Sequence, residues 1–225
     1  MQSPINPLIP LALEQKVIQF GEFKLKSGRT SPYFFNLGHI DNGPALKQLA
    51  DLYAKCIHRH FYQQGLDFDL LLGPAYKGIP LATATSLSLM QQYDKAVKFA
   101  FNRKEAKQHG EGGLFLGAPI KGKILLIDDV ITAGTAVRSL LSLIDTYPNA
   151  EVVGLVVSFD RQERAGETAI SATQALTDSV GIPVYPIATF TELLNVMLLQ
   201  PNLCTAQHLD SMKKYWHDYG AERAK

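Results

Sequence analysis

The stretch Lys123-Ile124-Leu125-Leu126-Ile127-Asp128-Asp129-Val130-Ile131-Thr132-Ala133-Gly134-Thr135-Ala136 decides the fold. Four consecutive aliphatics, residues 124–127, read as a strand buried on both faces, and the run stops at two carboxylates. Charge thus appears where the strand leaves the core. Small and hydroxylated residues follow, with a permissive glycine at 134. Val137, Leu140, Leu141 and Ile144 then give the apolar spacing of a helix. The order is strand, anion-cradling loop, helix N-terminus.

Backbone N–H groups at that helix start, with the Thr132 and Thr135 hydroxyls, suit a phosphate monoester. Two carboxylates one step earlier suit a sugar diol. Together they describe a site for a ribose 5-phosphate. The bland alternative is a strand capped by solvated acids and a threonine helix cap, since Asp and Thr are ordinary at helix starts. Neither the P-loop pattern nor a dinucleotide Gly-x-Gly-x-x-Gly occurs in the stretch. It resembles the phosphoribosyl-diphosphate signature of type I phosphoribosyltransferases, in which the paired acids bind ribose hydroxyls and the loop binds the 5-phosphate.

At 225 residues the chain is expected to be one domain, residues 1–225, with a large core. A formal net charge of +1 offers no global basic field for nucleic acid, so small-molecule partners are favoured. No apolar run approaches bilayer length, and residues 1–13 lack the basic start and long apolar centre of a secretory leader, so a cytoplasmic protein without membrane association is expected. Cys56 and Cys204 carry no metal-ligand spacing and read as packing residues.

Taken from the start, Leu11, Leu13, Val17, Ile18 and Phe20 suggest a short helix ending at Gly21. Residues 23–26 and 33–36 flank turn signals at 27–32 and predict a β-hairpin, a hood contributed mainly by residues 20–37. Asn42-Gly43-Pro44 opens a helix whose apolar face runs through Leu46, Leu49, Tyr53, Ile57 and Phe61. His58 and His60, two apart, point to different sides and read as packing or surface residues rather than metal ligands. A strand over 68–72 feeds the loop Gly73-Pro74-Ala75-Tyr76-Lys77-Gly78, then a helix over 79–93 and a strand over 97–101. Strands alternating with helices imply an α/β fold with a mostly parallel central sheet flanked by helices, ligands lying beyond the strand carboxyl ends.

Residues 102–113 hold cationic side chains among three glycines and no large apolar anchor, which predicts an exposed loop. A strand over 152–159 then ends in Asp160-Arg161-Gln162-Glu163. Helices are expected over 169–180, 190–199 and 207–219, and a strand over 184–188, placed near a sheet edge by Pro186.

Several motifs in order narrow the resemblance to the bacterial orotate phosphoribosyltransferase family: residues 20–28 with Ser31-Pro32-Tyr33, the 73–78 loop, Arg103-Lys104-Glu105 with the glycine-rich end of the following loop, and residues 160–163. The resemblance covers nearly the whole chain. It implies a type I phosphoribosyltransferase fold with an N-terminal hood, and a pentosyl transfer from 5-phospho-α-D-ribose 1-diphosphate (PRPP) to orotate with Mg²⁺ in pyrimidine synthesis. By similarity Asp128 and Asp129 hold ribose hydroxyls. Val130, Ile131, Thr132, Ala133, Gly134, Thr135 and Ala136 form the 5-phosphate loop, with Thr132 also near orotate. Tyr76, Lys77, Arg103, Lys104, Lys107 and His109 line the diphosphate side, and Lys26 also binds PRPP. Lys107, His109, Asp128 and Asp129 are the candidate catalytic residues, His109 as proton donor or hydrogen-bond partner. Lys26, Phe34, Phe35, Thr132 and Arg161 are placed around orotate, Arg161 gripping its carboxylate two-pronged. The metal is expected on substrate oxygens and water rather than on direct protein ligands, and a homodimer is expected to share the 103–113 lid between subunits. Gln108 and Leu114 depart from the family pattern. A same-fold regulator binding PRPP or nucleic acid without catalysis is the non-enzyme alternative. A purine phosphoribosyltransferase, which would need no cation for a substrate carboxylate, is the rival enzyme.

Overall fold

The structure is a computed structural model that describes residues 5–25, 28–103, 113–131, 134–166 and 168–222. Six strands form the central sheet in the order β5-β4-β3-β6-β7-β8: β3 (Leu70–Gly73), β4 (Lys98–Asn102), β5 (Phe115–Gly117), β6 (Gly122–Val130), β7 (Ala150–Asp160) and β8 (Val184–Thr189). All neighbours are parallel except β4 and β5. Pro186 lies in the edge strand β8, as its missing N–H requires.

The period of the strands explains the two cores. Leu71, Leu125, Ile127 and Val156 face α2 (Gly43–His60), α3 (Gly78–Tyr93) and α6 (Phe190–Leu199) on one side. Leu70, Leu72, Ile124, Leu126, Leu155 and Val157 face α4 (Thr135–Ile144) and α5 (Ala172–Val180) on the other. Residues 124–127 are at most 1 % exposed, so the strand is buried on both faces.

Helix starts follow their caps. Asn42 accepts from Ala45 N–H at the head of α2, with Pro44 in its first turn, and Thr189 forms a capping box with Glu192 at the head of α6. His58 stacks on Tyr93 and His60 on Tyr185, which makes both packing residues.

The N-terminal arm differs from expectation. Its helix, α1, is Leu8–Glu14, and Val17, Ile18 and Phe20 belong to the entry into β1 (Ile18–Lys24). Lys16, at φ 56°, breaks the helix, and antiparallel pairing with β2 (Thr30–Phe35) captures the residues that follow. That hairpin is the hood, packed beside α7 (Ala206–Tyr219) through Tyr33 and Tyr215. The short antiparallel strand β5 has no counterpart in the sequence reading.

Candidate active site

The carboxyl ends of β3, β4, β6 and β7 converge on the acids. Lys77 Nζ lies 2.6 Å from Asp129 Oδ2, so the loop after β3 is tied to the end of β6. The backbone there is held from both sides: Tyr53 OH donates to the Asp128 carbonyl at 2.7 Å and Ser158 Oγ to the Asp129 carbonyl at 2.6 Å. Asp128 Oδ1 accepts from Asp129 N–H and Asp129 Oδ1 from Val130 N–H, both at 2.8 Å. Burial, and then the charge of Asp129 beside it, push the Asp128 carboxyl up to about 7.

The 73–78 loop is closed on itself. A β-carbon on Gly73 would fall on the Gly78 carbonyl, and one on Gly78 on the Gly73 backbone, so only glycines fit where the loop's ends meet. Asn102 at the end of β4 accepts from Ala75 N–H at 2.8 Å, and Tyr76 is 67 % exposed on the loop's outer side.

Beyond β6, Val130 packs against the α2 side of the sheet and Ile131 is buried on the α4 side, which makes them supports for the loop. Gly134, at φ 70°, turns the chain into α4, and Thr135 and Ala136 are exposed in its first turn. The amide-rich N-terminus of α4 therefore follows the acids directly, a favourable place for an anion. Arg103 donates its N–H to the Leu114 carbonyl at 2.6 Å and so closes the base of the intervening segment. Lys26, Lys104, Lys107, Gln108, His109, Thr132 and Ala133 lie outside the described residues.

On the hood side, the period of β2 separates two neighbours. Phe34 is 38 % exposed and stacks on Phe23, whereas Phe35 is buried with its ring against Phe159. The Phe35 ring therefore supports the hood from within the core. Arg161, after β7, is nearly buried and already paired: its Nε and Nη2 both donate to Glu163 Oε1, at 2.9 and 2.6 Å. That edge of the guanidinium is taken, so the expected two-pronged grip on a substrate carboxylate is not open at Nε and Nη2. Asp160 accepts from Gln162 N–H and from Thr173 Oγ1 at the start of α5, a structural task.

Tyr53, Asn102 and Ser158 shape the site without having been singled out from the sequence. Each acts across a large sequence separation, and no local pattern marks them. Glu163, which the sequence offers only as part of the 160–163 motif, acts on Arg161 two residues away. Among the described residues no cluster of three or more His, Cys, Asp or Glu forms a metal centre. A cavity of about 560 Å³ opens at the other end of the sheet, near Asp69, Lys98 and Gly122. It lies by the strand starts, where parallel sheets do not place their catalytic loops.

Strand, paired acids, glycine turn and helix N-terminus define a phosphoribosyltransferase. A family model described as phosphoribosyl transferase domain matches residues 36–187, and the chain belongs to that family. An orotate phosphoribosyltransferase of Pseudomonas fluorescens is 46 % identical over 98 % of this chain and 100 % of its own. One from Nitrosococcus oceani is 46 % identical over 99 % and 98 %. The crystal structure of orotate phosphoribosyltransferase from Francisella tularensis superposes with a TM-score of 0.81 at 40 % identity, covering 95 % of this chain and 99 % of that one. Within the family the chain stands with the orotate phosphoribosyltransferases, and its fold is the type I phosphoribosyltransferase fold with a separate N-terminal hairpin.

Proposed function

We propose that this chain, as one domain, performs the reaction of its orotate-specific relatives at the end of β6: transfer of phosphoribosyl from PRPP to orotate, giving orotidine 5′-phosphate and diphosphate. The observation that carries the residue assignment is the Lys77–Asp129 pair set directly before the N-terminus of α4. Breaking the C1–O bond builds positive charge on the ribose ring while diphosphate departs as a polyanion, so the site must stabilise both charges at once. Asp128 and Asp129 accept hydrogen bonds from the ribose hydroxyls. Residues 130–136 hold the 5-phosphate, with amides of the α4 start aimed at it. Tyr76, Lys77 and Arg103, with Lys104, Lys107 and His109, receive the diphosphate, and His109 hydrogen-bonds or protonates a departing oxygen. Lys26 meets both PRPP and orotate. Orotate lies toward the hood, between Phe34, Thr132 and Arg161, with Phe35 beneath.

Mg²⁺ fits this site as a substrate-borne ion, because among the described residues Asp128 and Asp129 have no third His, Cys, Asp or Glu beside them to complete a metal centre. Bound through PRPP oxygens and water, it would neutralise diphosphate charge.

The proposed enzyme is a homodimer that shares the 103–113 lid; exposed Leu87 and Met90 on α3, the helix that follows the Lys77 loop, offer an apolar surface for contact between subunits. Among the described residues no helix is long and apolar enough to cross a membrane. The proposed location is the cytoplasm.

Diphosphate release with orotate, hypoxanthine and adenine as acceptors tests the reaction. Turnover is expected with orotate alone, and turnover of a purine instead would reject the assignment. Mixing Lys107→Ala protein with Asp129→Asn protein tests lid sharing: hybrid dimers regain activity if one intact site is rebuilt, and no recovery after subunit exchange counts against it.

A further inference from the structure

Arg161 is held more tightly than a ligand-binding arginine at a loop requires. Besides its two bonds to Glu163 Oε1, Nη2 donates to Ser31 Oγ at 3.1 Å, and the guanidinium carbon stands 4.3 Å above the Tyr33 ring. Ser31 and Tyr33 are fully buried residues of β2, and the Tyr33 hydroxyl reaches toward Glu163 Oε1 at 3.4 Å. The guanidinium thus has a face, an edge and a corner assigned by protein. A second carboxylate must approach elsewhere than at Nε and Nη2, or displace Glu163.

Glu163 is itself fixed from outside the sheet. It forms an antiparallel bridge with Gly220. Arg164 N–H donates to the Tyr219 carbonyl at 2.9 Å and Ala221 N–H to the Gln162 carbonyl at 2.8 Å. The Arg164 guanidinium donates to the Asp218 carbonyl. From the hood side, Arg29 donates to the carbonyls of Arg164 and Gly166, at 3.0 and 2.9 Å, and lies over the Tyr219 ring. Residues 162–166 are therefore clamped between the hood turn and the end of α7.

We propose that Glu163 is a positioning residue for acceptor recognition: it orients Arg161 toward the orotate carboxylate, and the backbone of residues 219–221 sets Glu163. The proposal rests on the reading that Arg161 meets that carboxylate. An arginine side chain has many rotamers, and selecting one before substrate arrives removes an ordering cost from binding. Glu163 also compensates the arginine's charge, so recognition depends on hydrogen-bond geometry more than on a free cation attracting any anion. Tyr215, whose hydroxyl is pushed up to about 12 by burial and then by the Glu163 charge, stays neutral beside the pair and leaves this compensation intact.

Steady-state kinetics on the full chain test this, with orotate and PRPP varied separately. Glu163→Ala is expected to raise the orotate KM by about 10- to 100-fold, the range for lost hydrogen bonds to a charged group, while the PRPP KM stays within about 2-fold. Glu163→Gln keeps an acceptor oxygen at the same reach and should recover most of the loss. Ser31→Ala, which removes one hydroxyl from Nη2 without opening a large hole, should raise the orotate KM by about 3-fold. An unchanged orotate KM in Glu163→Ala, a parallel rise for both substrates, or a Gln variant as impaired as the Ala variant would overturn the proposal. Arg161→Lys separates the two layers: an orotate KM unmoved by that change rejects Arg161 as the carboxylate's partner, whereas a moved one alongside an inert Glu163 rejects only the positioning role.

Discussion

Lys77 Nζ meets Asp129 Oδ2 at 2.6 Å, and this pair joins the loop after β3 to the end of the adjacent parallel strand β6. The lysine is nearly half exposed while the aspartate is largely buried. The pair therefore sits where solvent still screens it, and its weight falls on ligand placement rather than on folding.

Lys77→Ala should accordingly change unfolding free energy by no more than about 1 kcal/mol. It should lower kcat/KM for PRPP by about 10- to 100-fold, the scale of one lost charge-assisted hydrogen bond. Urea titration and initial rates on the same preparations check both halves.

Gly78→Ala pushes a methyl group into the Gly73 backbone. Overpacking of this kind costs about 1–3 kcal/mol, and relief would have to come from opening the 73–78 loop. A lowered urea midpoint together with a loss of PRPP turnover is expected. A stable, fully active variant would show that the loop's ends need not touch.

Asp128 has a folded pKa of about 7 against an ordinary value of 3.8, owing to burial and to Asp129. The folded chain therefore binds more protons than the unfolded chain between those values, and its stability falls as pH rises through that window. Binding runs the other way, because the ribose hydroxyls need an ionised acceptor. The KM for PRPP should fall between about pH 6 and pH 8. Asp128→Asn should flatten that dependence and lose less stability on going from pH 5 to pH 8. Initial rates and thermal melts across the range provide the check.

Tyr53→Phe removes the hydroxyl that fixes the Asp128 carbonyl while keeping the ring buried in α2. A cost of about 0.5–1.5 kcal/mol is expected from the lost bond. Ser158→Ala should cost a similar amount through the Asp129 carbonyl. Both should raise the PRPP KM with the orotate KM little changed, since the two hydroxyls anchor the donor half of the site.

Much of this arrangement is legible in the chain because it is local. The 124–127 aliphatics, the acids after them and Gly134 are consecutive, and α6 spans Phe190–Leu199, the residues its periodicity marks. Val17, Ile18 and Phe20 fit a helical and an alternating spacing alike, and pairing with residues 33–35 across the hairpin decides for strand. β5 is three residues long with a glycine at its end, too short to show a period. Phe34 and Phe35 are adjacent on β2, so their rings point to opposite faces, Phe34 partly exposed and Phe35 into the core, a division that shows only once the strand is assigned. The bond between Arg161 and Glu163 could not be read in advance, because two charges in a loop show no geometry until the hood and α7 press on them.

Both margins of the sheet are poor templates. β5 offers three residues, and β8 carries Pro186, which has no N–H to present. Strand addition from a second chain is thereby discouraged on either side, a safeguard against ribbon-like aggregation during folding. The central sheet is thus closed to new strands at both of its edges, and its order is set by this chain alone.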